Sequence, residues 1–275
     1  MAGLLRRLDP ELDVDVVIVD TQGDRRLDVP IWELGGKGVF ATEVQTAIAD
    51  GRADFAVHSA KDLPSVGGIG LVIAAVPERG DPRDALVGST LAALPDGAEV
   101  ATGSLRRQAE LRRHRPDLRF VGLRGNMHAR LAKAADHDAV VVAATALDRL
   151  SLAGHIAERL SVEDMVPQVA QGALAVECQE DDDDLRSLLA GIEHPSTRRC
   201  VDVERAFLAE LGGDCSLPAG AHAVTSGGQL TLYAFLAAAD GPDSVRHSAT
   251  GTGAELGTEV ARHLLESGGR ALLRR

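Results

Sequence analysis

The stretch AEVATGSLRRQAELRRHRPDLRFVGLRGNMHARLAKAADHDAVVVAATALDR (98–149) decides the fold class. Its apolar runs AEVAT (98–102), LRFVG (118–122) and DAVVVAATA (138–146) alternate with the helical patterns SLRRQAELRRH (104–114) and NMHARLAKA (126–134). Short strands separated by amphipathic helices predict an open α/β sheet, mostly parallel. The same rhythm extends upstream through VDVVIVD (14–20), FATEVQTAIAD (40–50), DFAVHS (54–59) and LVIAAVP (71–77). Downstream the pattern changes. EDDDDLRSLLAGI (180–192) predicts a helix whose acids favour its N-terminal dipole. After His194-Pro195, the spacing of Cys200, Val203, Phe207 and Leu211 marks one face of a further helix. AGAHAVTS (219–226), QLTLYAFLAA (229–238) and SVRHSATG (244–251) then predict three antiparallel strands, with a closing helix over 257–273. The tail is therefore expected to be a separate α+β unit, with breaks at Arg79-Gly80-Asp81-Pro82 and His194-Pro195.

A chain of 275 residues exceeds the usual single core, so two or three units are expected. A net charge of −12 and 3% aromatic residues argue against a nucleic-acid binder, which needs a basic surface and stacking platforms. The three cysteines, Cys178, Cys200 and Cys215, are an odd number without paired spacing, which speaks against a disulfide framework and a zinc knuckle. The sequence shows neither an apolar run near the ~20 residues of a membrane span nor signal-peptide order, so a cytoplasmic protein with no membrane partner is expected.

Ligands of open α/β sheets bind beyond the carboxyl ends of strands, and these positions are unusually ionic here. AEVAT runs into Ser104, Arg106 and Arg107, LRFVG into Arg124, Asn126 and Arg130, and DAVVVAATA into Asp148 and Arg149. Ser104 and Asn126 are expected helix N-caps, which puts arginines in first turns, where the dipole disfavours them unless an anion lies between. Arg112, Arg113 and Arg115 read as a solvated basic face. DFAVHS runs through Ser59 into Lys61 and Asp62, a cation and a carboxylate side by side that form either a plain ion pair or a charge-stabilising, proton-relaying site. His58 reads as a packed strand residue, and Gly35-Gly36-Lys37-Gly38 as a glycine-rich lid carrying Lys37, since no Walker sequence follows. Cys178 and Cys200 read as buried hydrophobes. Cys215, in the turn GGDCSLP (212–218), is an idle thiol, a nucleophile or a covalent attachment point.

With these residues in place, the chain resembles the porphobilinogen deaminase (hydroxymethylbilane synthase) family. The resemblance spans nearly the whole sequence: TQGD (21–24), GGKGVF (35–40), RADFAVHSAKDLP (52–64), ERGDPRDA (78–85), TGSLRRQ (102–108), LRGN (123–126), QGALAVEC (171–178), ERAFL (204–208) and GGDCSLPAGA (212–221). It implies two periplasmic-binding-protein-like (type II) α/β lobes, 1–78 with 168–192 and 79–167, and a small α+β C-terminal domain over 195–275. It implies a transferase of porphyrin and haem biosynthesis, monomeric, that condenses four porphobilinogen molecules onto a dipyrromethane held by Cys215 through a thioether, losing ammonia at each step. By the same resemblance Asp62 is catalytic. Cys215, Lys61, Ser104, Arg106 and Arg107 bind the cofactor, Arg124, Arg130, Arg149, Lys37 and Ser59 bind substrate, and no metal is implied. The chain departs from the family at Gly103 (a frequent Ser), at Ala146 and Ala170 (glycines), and at Asp214 (a Gly). It begins about where the family's first helix should end, without the first strand and the Arg-x-Ser-x-Leu-Ala motif, so impaired stability and cofactor retention are expected. The alternatives are an inactive truncated deaminase and a noncatalytic two-lobed binding protein for a small polycarboxylate.

Overall fold

A computed structural model describes residues 1–25, 38, 40–65, 67–213, 217–239 and 241–274. Its strands form three sheets. The first holds β1 (Phe55–Ser59), β2 (Leu71–Ala75) and β8 (Leu174–Gln179) in the order β1-β8-β2. The second, five-stranded, has the order β5-β4-β6-β3-β7, from β3 (Asp84–Val87), β4 (Glu99–Ala101), β5 (Arg119–Val121), β6 (Ala139–Ala143) and β7 (Ile156–Arg159). The third is an antiparallel meander of β9 (Ala219–Ser226), β10 (Gln229–Ala237) and β11 (Ser244–Gly251).

The expectation of mostly parallel pairing holds only where β4 pairs β5 and β6. β3 is antiparallel to both β6 and β7, and β8 is antiparallel to both β1 and β2. The cause lies in two crossovers. The chain leaves the first sheet after β2, inserts β3 through β7, and returns as β8 between the strands it had left, reversing direction each time. β6 reads as a continuous apolar run because it is buried along its whole length at the centre of its sheet.

VDVVIVD (14–20) is not a strand. It is irregular, with Val16, Val17 and Ile18 exposed by 80%, 52% and 86%. No described strand pairs with it, and an extended segment without a ladder has nothing to pay for its ordering. DAVVVAATA also ends sooner than expected, because the chain turns into α6 (Ala144–Arg149) at Ala144. The expected helices form as α3 (Thr42–Ala49), α4 (Leu105–His114), α5 (Met127–Ala132), α7 (Asp183–Ala190), α8 (Pro195–Glu210) and α9 (Glu255–Leu264), while α1 (Ala2–Leu8) and the single turn α2 (Gln22–Arg25) were not foreseen. The closing helix expected over 257–273 is broken after α9, where Ser267 and Gly268 leave helical geometry, Gly268 at φ +114. Pro195 at the first helical position and His194 as N-cap start α8 where the break was expected.

Leu5, Val176, Cys178 and Leu189 pack one face of the first sheet against α1 and α7. The largest core joins Ala60, Leu63 and Val169 to Val203 and Phe207 of α8 and to the third sheet. The C-terminal unit is thus pressed against the crossovers. Gly220 makes this approach possible, since a Cβ there would lie 2.6 Å from the Val166 carbonyl oxygen.

Candidate functional site

β1 delivers Ser59 and then a single helical turn carrying Lys61 and Asp62. β4 delivers Ser104, whose Oγ caps α4 by accepting from the Arg107 amide at 3.4 Å. β5 delivers Asn126, whose Oδ1 caps α5 by accepting from the Ala129 amide at 3.0 Å. Both expected N-caps therefore form; they leave Arg106 and Arg107 in the first turn of α4, while Arg130, expected in a first turn, falls in the last turn of the short α5. Asp62, half-buried, has its carboxyl raised above the ordinary range by desolvation, opposed by Lys61, Arg130 and His58. Arg130 in turn is lowered by burial and by the neighbouring charges of Arg107 and Arg124. Desolvation, with Arg107 and Arg106 against Asp62 and Asp84, brings the Lys61 ammonium down to about 8. These mutual influences place Asp62, Lys61, Arg107, Arg124 and Arg130 in one electrostatic neighbourhood assembled from the first and second sheets.

Arg106 and Arg107 differ from the free cations the sequence suggested. Both are buried and share Asp84, the first residue of β3. Arg106 also donates to the Val166 carbonyl at 2.9 Å, and Arg107 to that of Val141 at 3.2 Å. Asp84 lies inside the ERGDPRDA block, yet nothing local distinguishes it from a strand-entry residue, because its partners are 22 and 23 positions away. Gln171 was likewise missed. Its Nε2 donates to Asp84 and to the Pro82 carbonyl, and its Oε1 accepts from Lys61 Nζ and Arg107 Nη2, each at 3.3 Å.

Arg149 stands apart. Burial alone lowers it, and its Nη2 donates to the Gly172 carbonyl at 2.8 Å. Arg124 donates to the Gly23 carbonyl at 3.2 Å and Arg130 to that of Gly125 at 2.8 Å. Ser59 closes β1 opposite Leu174. His58 is a buried strand residue, its Nε2 3.2 Å from Glu177 Oε2. Lys37 and Cys215 lie outside the described residues. Cys178 and Cys200 are buried, and desolvation pushes the Cys200 thiol up to about 11 and the Cys178 thiol upward as well. Neither is a reactive thiolate.

A cavity between the three units is lined by Lys61, Ser104, Arg106, Gln168, Leu208 and Leu217. Arg106 Nε is buried without a hydrogen-bond partner among the described residues, and Leu217 follows Cys215 by two positions. A guanidinium with an unpartnered N–H, an ammonium and a hydroxyl, all on residues that line this cavity, suit an acidic group. No cluster of three metal-ligating side chains occurs among the described residues.

Fold and site together define an α/β protein whose first two sheets bring cations around a half-buried carboxylate. Residues 1–187 match the family model described as "Porphobilinogen deaminase, dipyromethane cofactor binding domain", and 198–266 match "Porphobilinogen deaminase, C-terminal domain". The chain is 45% identical to the porphobilinogen deaminase of Roseiflexus castenholzii, over 98% of this chain and 91% of that one. It is 43% identical to that of Syntrophus aciditrophicus, over 99% and 92%. Among solved structures it is similar to the periplasmic VFT2 domain of Bordetella pertussis BvgS, with a TM-score of 0.38 and 22% identity over 70% of this chain and 74% of that one. The chain belongs to the porphobilinogen deaminase family, and its first 187 residues are the family's dipyrromethane cofactor-binding region.

Proposed function

We propose that this chain is a cytoplasmic, monomeric hydroxymethylbilane synthase, a transferase that condenses four porphobilinogen molecules with loss of ammonia and releases the linear tetrapyrrole by hydrolysis. The observation that carries the reading is the convergence of Asp62 with Lys61, Arg107, Arg124 and Arg130 from two sheets. Each pyrrole of the substrate brings two carboxylates, and arginine forks match them in charge and shape. Lobes over 1–78 with 168–192 and over 79–167 supply the two sides of the site, and 195–275 presents Cys215.

The dipyrromethane, carried as a thioether on Cys215, supplies when bound the nucleophilic pyrrole carbon from which the chain grows. Ser104, Lys61, Arg106 and Arg107 would hold its acid groups. Arg124, Arg130 and Arg149 orient the carboxylates of the incoming substrate, and Ser59 and Lys37 bind it as well. Departure of ammonia leaves the substrate's pyrrole positively charged. Asp62, ionised beside it, stabilises that charge and accepts the pyrrole N–H, and in its protonated form it gives a proton to the leaving amine. Burial strengthens both roles by excluding competing water. Arg106, Arg107 and Lys61 keep net positive charge at the site even though Asp84 neutralises one of them.

The test is intact mass of the protein expressed in cells that make porphobilinogen. The wild type, Cys178→Ser and Cys200→Ser are expected to carry the mass of two linked pyrroles, and Cys215→Ser to have the bare mass. Bare wild-type protein that forms no bilane from porphobilinogen would overturn the reading, and a loaded Cys215→Ser would move the attachment elsewhere.

A further inference from the structure

Adjacent residues on a helix point about 100° apart, so two consecutive arginines do not turn to one side unaided. Arg106 and Arg107 nevertheless meet at one carboxylate. Asp84 Oδ2 accepts from Arg106 Nη2 at 2.7 Å. Its Oδ1 accepts from Arg107 Nε and from Gln171 Nε2, each at 2.9 Å, and lies 2.8 Å from Arg107 Nη2. Asp84 is wholly buried, and the arginines and Gln171 hold its carboxyl well below the usual carboxylate range in spite of that burial. The same network runs on through Gln171 Oε1 to Lys61, the neighbour of Asp62. Arg106 lines the cavity, and its Nε remains without a partner among the described residues.

We propose that Asp84 is a positioning residue for this reaction: its carboxylate aligns Arg106 and Arg107 and, through Gln171, sets Lys61, so that the ligand's acid groups meet a preformed array. The inference rests on the synthase reading above. Asp84 touches no reacting atom. It spends two hydrogen-bond acceptors on keeping cations fixed, which lowers the reorganisation needed at each addition. It also competes for their charge, so removing it leaves two uncompensated guanidinia that attract anions at least as strongly but in no fixed geometry.

The experiment is steady-state bilane formation by loaded protein, comparing the wild type, Asp84→Asn and the double variant Asp84→Asn/Gln171→Glu, with circular dichroism for folding. Asp84→Asn is expected to lower kcat about tenfold or more while KM for porphobilinogen stays level or falls. The double variant returns a negative charge to the cluster at position 171, on the second crossover, and it is expected to fold as the wild type does while kcat stays low. Recovery of kcat in the double variant would show that charge alone matters and overturn the positioning role. Unchanged kcat in Asp84→Asn, or loss of fold in both variants, would do the same and leave Asp84 a structural residue. Absence of bilane from the wild type would overturn the synthase reading itself, a result distinct from these.

Discussion

Asp62 draws its importance from where a single turn leaves it. A carboxylate on an exposed loop beside Lys61 would be an ordinary ion pair, worth little. Partly desolvated and faced by Lys61, Arg130 and His58, it becomes a fixed charge whose proton affinity burial has raised. Asp62→Asn is expected to keep carboxylate binding, because the arginines are untouched, and to lower kcat by about two orders of magnitude or more, the scale of losing one charge-stabilising group in a closed site. The acid limb of the kcat profile should lie above the usual carboxylate range in the wild type and disappear in the variant. Steady-state rates of loaded protein from pH 4 to pH 8 measure both, and near-normal turnover would remove Asp62 from the chemistry.

Two positions in the connecting elements carry energy that the site does not use. Ala170 lies in the second crossover at φ +58, a left-handed conformation that costs an L-residue about 1–2 kcal/mol. Ala170→Gly relieves that strain but gives up folding entropy and a wholly buried core methyl, each about 0.5–1 kcal/mol, so the urea midpoint is expected to stay within about 0.5 kcal/mol of the wild type with unchanged slope. Glu110 of α4 is wholly buried. Its Oε1 accepts from the Val166 amide at 2.9 Å, its Oε2 has no hydrogen bond among the described residues, and Arg113 and Arg246 stand 3.6 Å off. Desolvation pushes its carboxyl from 4.5 up to about 7. The folded state thus holds a proton that the unfolded chain has lost, so stability falls as pH rises from about 4.5 to about 7, by up to about 3 kcal/mol. Glu110→Gln should flatten that decline, with denaturation midpoints near the wild type at pH 5 and above it at pH 8. An undiminished pH slope in the variant would assign it to other groups.

At the scale of the whole molecule, a buried ion pair ties the two crossovers to α8 and the third sheet. Arg79, in the first crossover, places Nη1 2.6 Å and Nη2 3.1 Å from the two oxygens of Glu204 on α8, and its Nε donates to the Gln171 carbonyl on the second crossover. Glu204 also accepts from the Ala170 amide and, on β9, from the Ala223 amide. Against desolvation, Arg79 and His222 bring its carboxyl down to about 2. Its contribution is present above about 4.5 and is lost as pH falls toward about 2, since the unfolded chain takes up the proton first. Arg79→Ala leaves a buried carboxylate without its fork and is expected to cost about 3–5 kcal/mol at pH 7, with a smaller loss at pH 3. Thermal melts at the two pH values check this, and equal losses would mean that the fork contributes only by packing.

How much of this was legible depended on range. The α/β rhythm of 98–149, the α+β tail, the caps Ser104 and Asn126 and the position of Asp62 beside Lys61 are local features, written in periodicity and in residue types a few positions apart, and the sequence by itself determined them. The family blocks identified the chain by the same kind of signal. VDVVIVD shows the limit of periodicity, because a strand exists only where another strand receives its hydrogen bonds. β3, β7 and β8 are short, and what makes them strands is partners far along the chain, as where Phe55 of β1 faces Cys178 of β8 and Ala85 of β3 faces Arg159 of β7. Asp84, Gln171 and Glu204 carry no local signature at all. Only the tertiary structure decided that two neighbouring arginines would share one carboxylate and that one carboxamide would join them to Lys61, because a buried charge is defined by the groups that fold around it.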